Sequence, residues 1–155
     1  MSESPCFQLD DLSGPKTRAL IARHLAGMHQ NSPAESVHAL DVSGLQRPGV
    51  TFWSAWLGEE IVCCGALKVI DHDRGELKSM RVSDAFLGRG FGWAMLEHLV
   101  AQARAQGLRS LWLETGSSPA FVPAQRLYQS AGFVRCGPFE GYTDDPFSVF
   151  MMRTL

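Results

Sequence analysis

Long apolar runs are missing from this sequence. None approaches the roughly 18 residues of a membrane span, and residues 1–11 lack the basic-then-apolar pattern of an export signal. Basic clusters are missing as well. With 14 Lys and Arg against 16 Asp and Glu, the formal net charge is −2, which argues against nucleic acid as the main partner. The four cysteines (Cys6, Cys63, Cys64 and Cys136) contain no C-x-x-C. The vicinal pair Cys63 and Cys64, in a strand pattern, points to opposite faces. Reduced thiols in a cytoplasmic protein are therefore expected, not a disulfide framework. Among the five histidines there is no H-E-x-x-H or comparable ligand spacing, so no metal is expected. There is also no internal repeat, no low-complexity segment, and no Gly-x-x-x-x-Gly-Lys-Ser/Thr string, which excludes a P-loop. What remains is a 155-residue chain, 45% hydrophobic and 19% charged, that fits one globular domain over residues 1–155 with a real core.

The most informative stretch runs from Glu76 to Gly107. It reads as a strand over 76–82, a glycine-rich turn (Leu87-Gly88-Arg89-Gly90-Phe91-Gly92), and a helix in which Met95, Leu96, Leu99, Val100 and Ala103 recur at helical spacing. Gly107 stands where a helix C′ residue would. An apolar strand follows over 110–115, so the unit is a strand–helix–strand, most simply a right-handed parallel crossover. Glycines at alternate positions before a helix let a ligand approach the backbone and leave amide N–H groups unpaired. Those amides and the positive helix end favour an anion such as a phosphate or pyrophosphate. The dinucleotide fingerprint would require a last glycine where Trp93 stands, although Glu114 lies about twenty residues downstream, where a ribose-binding carboxylate would be.

Elsewhere, residues 7–9 suggest a first strand. Ser13 is placed to cap a helix with Pro15 in its first turn, and Leu20, Ile21, His24, Leu25 and Met28 line one face to about His29. Ser32-Pro33-Ala34-Glu35 has capping-box spacing and predicts a second helix reaching Leu40. Residues 51–57 and 61–69 around Gly58-Glu59 predict an antiparallel hairpin, its core holding at least one of Trp53 and Trp56. After the crossover, a helix from Phe121 or Pro123 to Ala131 ends at Gly132, with Phe133 closing a hydrophobic C-cap. A short strand over 134–136, a loop over 137–147 and a last strand over 148–153 complete the chain.

Gly88-Arg89-Gly90-Phe91-Gly92 after an alternating strand, followed by Leu127-Tyr128-Gln129-Ser130-Ala131-Gly132-Phe133, resembles the GNAT superfamily of acyl-CoA-dependent N-acetyltransferases. The likeness covers residues 50 to 136 best. It implies an α/β (α+β) fold: a mixed sheet of about six to seven strands, flanked by about four helices around a central βαβ unit. It also implies acetyl-CoA as acyl donor, its pyrophosphate held by backbone N–H groups of Gly88, Arg89, Gly90, Phe91 and Gly92. The pantetheine arm would pair with backbone groups of Met80 and Val82. The family's loop opens with Gln or Arg, where this chain has Leu87, which shifts phosphate binding onto Arg89 or the amides. The second motif matches Leu-Tyr-x-x-x-Gly-Phe residue for residue, and the resemblance gives Tyr128 the role of proton donor to the leaving CoA thiolate.

Acetyl transfer needs a neutral amine, yet an amine of pKa about 10 is only about a thousandth neutral at pH 7. A carboxylate must therefore take its proton, directly or through water. Glu76 falls where several members of the family carry a glutamate base. Glu114, near the carboxyl end of the next strand, is favoured by where ligands sit in parallel sheets. Both stay open, and a solvated Glu76 paired with Lys78 or Arg81 is the plainer alternative. The loop with Phe139, Glu140, Tyr142, Asp144, Asp145 and Phe147 is a candidate cap for the acceptor, and His24, His29 and His38 fall on the segment that lines the acceptor side in this family. The expected reaction is direct attack by a primary amine of a small molecule or amino acid in a ternary complex, with no nucleic acid or membrane partner. A homodimer stays open. The alternative is a CoA-binding or regulatory domain without turnover.

Overall fold

A computed structural model describes residues 4–155. Its strands are β1 (Cys6–Leu9), β2 (Val50–Leu57), β3 (Glu60–Val69), β4 (Arg74–Val82), β5 (Ser110–Gly116), β6 (Val134–Cys136) and β7 (Ser148–Thr154). The helices are α1 (Pro15–Asn31), α2 (Val42–Leu45), α3 (Phe91–Ala105) and α4 (Val122–Ser130). All seven strands form one sheet in the order β1-β2-β3-β4-β5-β7-β6. Only β4 and β5 run parallel, as the crossover through α3 requires. The expected mixed sheet, hairpin and βαβ unit are all present.

The sheet has two covered faces. On one, Met95, Leu96, Leu99 and Val100 of α3 and Tyr128 of α4 pack with Trp53, Val62, Cys63, Leu77, Leu111 and Leu113. On the other, Leu20 and Ile21 of α1 and Leu45 of α2 pack with Phe52, Ile61, Cys64 and Ala66. Cys63 and Cys64 thus fall into opposite cores, as strand alternation demands, and Trp53 is the core tryptophan of the hairpin.

Two expectations at the amino-terminal end fail. The residue before α1 that takes the cap position is Gly14, and no side chain caps the helix. Ser13 is instead held by Asp11, whose Oδ1 accepts from its Oγ at 2.6 Å. The second helix does not reach from Ser32 to Leu40. Only a 3₁₀ turn over Ala34–Ser36 forms, because the Ser36 hydroxyl donates to Asp145 in the distant 137–147 loop. The helix comes later, as α2, capped by Asp41 Oδ1 accepting from Gly44 N at 2.8 Å.

Two irregularities of β4 position the site. First, Arg81 faces Cys64 and Lys78 faces Ala66, so β4 carries one residue more than β3 between these pairs. The bulge falls at Ser79, whose φ is 56°. Beyond it the alternation is reset: Met80 and Val82 pack with Leu77 beneath α3, and Arg81 turns to α1. Second, β4 and β5 pair only over Arg74–Glu76 and Ser110–Trp112. From there β4 stays with β3 while β5 follows β7 as far as Gly116. The two strands part and a wedge opens between them.

Candidate active site

The wedge widens into a cleft of about 680 Å³ that reaches from the α1 side of the sheet to the start of α3. A more open groove of about 940 Å³ lies along β1 and the start of α1, and it contains none of the candidate catalytic or cofactor-binding residues. The cleft collects Glu76, Met80, Val82, Gly88, Gly90, Gly92, Glu114 and Tyr128 from five separate elements.

At one end is the glycine turn. Gly88 and Gly90 have φ of 74° and 86°, and a Cβ on either would meet nothing within 4 Å. Gly90 also takes the cap position of α3, with no side chain capping the helix. The first intrahelical bond runs from Ala94 N to Gly90 O (3.1 Å). The preceding amides are therefore the unsatisfied donors of a helix start facing open space, which fits a pyrophosphate. Arg89 and Phe91 do not line the cleft. The Phe91 ring is in the core, so only its amide can serve a ligand. The Arg89 guanidinium lies over the rings of Phe86 and Phe91, at 5.2 and 5.6 Å. Leu87 is 62% exposed at the rim and offers no polar side chain.

The β4 edge beyond Glu76 has no strand neighbour on the β5 side. Its backbone groups from Leu77 to Val82 on that side are open to pairing by an extended ligand, as a further strand would be. Tyr128 stands across from it on α4. It is 8% exposed, its ring meets Phe133 edge-on at 5.8 Å, and no residue among those described hydrogen-bonds its hydroxyl. Burial pushes its phenol up to about 12, so it stays protonated at neutral pH.

The two glutamates differ in their surroundings. Glu76 is 3% exposed. Its Oε2 accepts from Lys78 Nζ at 3.1 Å and from the Tyr142 hydroxyl, and Lys78 Nζ lies 3.0 Å from that same hydroxyl. The plainer alternative of an ion pair with Lys78 is thus present, but buried and not solvated. Burial and then the Glu76 charge push the Tyr142 phenol well above its usual value. Among the described residues Glu114 has one hydrogen-bond partner, the Ser148 hydroxyl at 2.7 Å. Burial raises its carboxyl above the ordinary range, as a base working near neutrality needs.

Several contacts of the residues that line the cleft carry no signal in the sequence. Tyr142 comes 66 positions after Glu76 and pairs edge-on with His38 at 5.1 Å. Arg81 donates from Nε to His24 Nδ1 at 3.1 Å. His24 is buried, and desolvation, with the Arg81 charge beside it, pushes its imidazole down to about 4. Of the three amino-terminal histidines, His24 and His38 line the cleft and His29 does not.

The model of the acetyltransferase (GNAT) family matches residues 18–133. Over 149 residues the chain is 47% identical to the uncharacterised N-acetyltransferase YsnE of Bacillus subtilis (strain 168), covering 96% of this chain and 99% of that one. It is 40% identical over 136 residues to the IAA acetyltransferase of Azospirillum brasilense, 87% of this chain and 86% of that one. Among solved structures, a GNAT family acetyltransferase from Elizabethkingia anophelis with acetyl-CoA bound superposes with a TM-score of 0.71. At 16% identity, over 99% of this chain and 100% of that one, this likeness is one of fold.

Proposed function

The chain belongs to the GNAT family of acyl-CoA-dependent acetyltransferases, with acetyl-CoA as acyl donor, and we propose that it acetylates the primary amine of a small molecule by direct attack in a ternary complex. The observation that carries this reading is the parting of β4 and β5 immediately after Glu76 and Trp112. That wedge puts an uncapped helix start, an unpaired strand edge, a protonated phenol and a carboxylate of raised pKa around one cleft. The relatedness to an IAA acetyltransferase supports a small acceptor.

The amides at the start of α3 hold the pyrophosphate, and the β4 edge at Met80 and Val82 orients the pantetheine arm. Holding both reactants in line supplies several kcal/mol by itself. Glu114 takes the proton of the acceptor ammonium. The freed amine nitrogen forms a bond to the thioester carbonyl carbon, the carbon–sulfur bond breaks, and the second proton shed by the nitrogen as it becomes an amide restores the phenol that has protonated the sulfur. The Tyr128 hydroxyl hydrogen-bonds the departing sulfur and delivers the proton that completes CoA. Glu76 is less suited to the role of base because Lys78 and Tyr142 already occupy its Oε2. Its part is to tie Tyr142 of the 137–147 loop to β4 beside the cleft.

The test is calorimetric titration of acetyl-CoA into the protein, followed by an amine panel read by release of free thiol. Tyr128→Phe is expected to lower kcat on the order of 10²-fold, with acetyl-CoA affinity unchanged within about twofold. An unchanged kcat would remove Tyr128 from the mechanism, and absence of acetyl-CoA binding would overturn the donor site.

A further inference from the structure

The charges of the cleft do not cancel locally. Lys78 and Glu76 neutralise each other. Arg23, at the mouth, is paired with Asp84 (Nε to Oδ2, 2.9 Å). Two groups have no ion-pair partner among the described residues: the carboxylate of Glu114 on β5, with the Lys78 charge at longer range, and the guanidinium of Arg81 on β4, which feels the Arg23 and Asp84 charges at longer range. Among the described residues no carboxylate lies within salt-bridge distance of Arg81. Among those residues it donates to His24 alone, from Nε to Nδ1 (3.1 Å) and from Nη2 to the backbone carbonyl (3.4 Å). His24 is an acceptor through Nδ1, so it brings no negative charge. Nη1 and the second proton of Nη2 have no partner among the described residues.

This guanidinium is half-buried and lines the cleft on the α1 side. The bulge at Ser79 sends it there, away from the Met80 and Val82 side chains. Gly27 makes room for it, since a Cβ at that position would stand 2.7 Å from Arg81 Nη2. A desolvated, planar fork with donors to spare is the usual recognition element for a carboxylate, which it can bind through two parallel hydrogen bonds. A doubly charged phosphate suits the site less, because Glu76 and Glu114 line the same cleft.

We propose that Arg81, backed by His24 and Gly27, anchors a carboxylate of the acceptor, so that the acceptor is an amino acid whose amine is presented to Glu114. The inference rests on the transferase reading above, narrows the acceptor to an amino acid and assigns the residue that anchors it. A molecule carrying one ammonium and one carboxylate matches, in sign and number, the two groups of the cleft that lack an ion-pair partner among the described residues. The acetyl group goes to its amine nitrogen and the carboxylate takes no part in the bond changes.

The experiment compares α- and ω-amino acids with their primary amides as acceptors, using thiol release with saturating acetyl-CoA. The amide amine is the less basic of the two, so without a carboxylate site the amide would be the faster substrate. The wild-type protein is expected to prefer an acid over its amide by about tenfold or more in kcat/KM. Arg81→Gln is expected to collapse this ratio to one or below, mainly through KM for the acid, while acetyl-CoA titrates with wild-type affinity. Gly27→Ala, which alters no charge and favours the helix, is expected to raise KM for the acid in the same direction by crowding Nη2. It carries the test if Arg81→Gln does not fold. Equal use of acid and amide, or a preference that survives in both variants, overturns the proposal. Acetyl-CoA binding with no amino acid accepted overturns the substrate class and leaves the donor site standing. Failure to bind acetyl-CoA removes the transferase reading itself, and this inference with it.

Discussion

Replacing Glu76 by Gln should cost stability before it costs chemistry. Its carboxylate and the Lys78 ammonium are 3.1 Å apart with side chains 4% and 8% exposed, so solvent screens the pair little. Removing one partner of a buried pair leaves the other charge without compensation, at about 3–5 kcal/mol. Losing the proton from an ordinary lysine at pH 7 would cost about 4–5 kcal/mol, which sets a similar ceiling. For a chain of this size about 2–4 °C of Tm accompanies each kcal/mol, so Glu76→Gln should melt roughly 6–20 °C lower. Adding Lys78→Met removes the orphaned ammonium and should recover most of the loss, since a well-packed apolar replacement of a buried pair is often neutral. Urea unfolding of wild type, the single variant and the double variant measures this cycle, and thiol release on the double variant tests the chemistry. A Glu76→Gln protein within about 0.5 kcal/mol of wild type would refute the burial argument. A double variant that melts like wild type but turns over nothing would return Glu76 to the role of base.

Gly90 and Gly107 offer a matched pair, with φ of 86° and 79° and nothing within 4 Å of where a Cβ would stand. Alanine at either should destabilise by about 1–2 kcal/mol, yet only Gly90→Ala should weaken acetyl-CoA in a titration. Equal affinities in both would refute the loop assignment. Folded His24, pushed down to about 4, resists the proton that the unfolded chain takes up near pH 6.5. Stability is therefore present above that pH and lost as pH falls toward 4, by roughly 2 kcal/mol between pH 7 and 5. Urea midpoints that do not fall over this range would contradict a buried neutral His24. Glu114, raised by burial, must be ionised to act. The rate should climb with pH through its raised pKa, and Glu114→Gln should abolish that limb of the kcat/KM profile.

The candidate donor half of the cleft is legible in the sequence because its signals are local. Alternating glycines before an amphipathic run mark a helix start, and the Leu127–Phe133 motif carried Tyr128 whatever the sheet order. The strand to which Tyr128 is opposed, and the insertion of β7 between β5 and β6, have no such signal. The acceptor half depends on contacts across the chain: Tyr142 to Glu76 over 66 positions, Arg81 to His24 over 57, and Ser36 to Asp145 over 109. The last of these also explains the missing helix. Capping-box spacing over 32–35 is a weak propensity, and a side-chain bond to a distant loop overrides it.

Ser79 connects the two halves. Strict alternation from Leu77 would have put Ser79 and Arg81 beneath α3, and Met80 and Val82 on the α1 side with Lys78. One extra residue reverses this, so that apolar side chains meet the α3 core while a guanidinium reaches the acceptor side. The conformation is unfavourable in itself: a serine at φ 56°, with its buried hydroxyl unpartnered among the described residues. Such a backbone costs on the order of 1–3 kcal/mol and persists only where its surroundings enforce it. Serine in a strand carries no turn signal, so the bulge is invisible in the sequence. It stands at the part of β4 where β5 has already diverged, and there the local disfavour coincides with an edge free to pair with a ligand. The bulge lies in the β3–β4 ladder where β4 has lost its β5 neighbour, and it serves both ends at once, packing Met80 and Val82 into the α3 core and turning Arg81 toward α1 and the cleft.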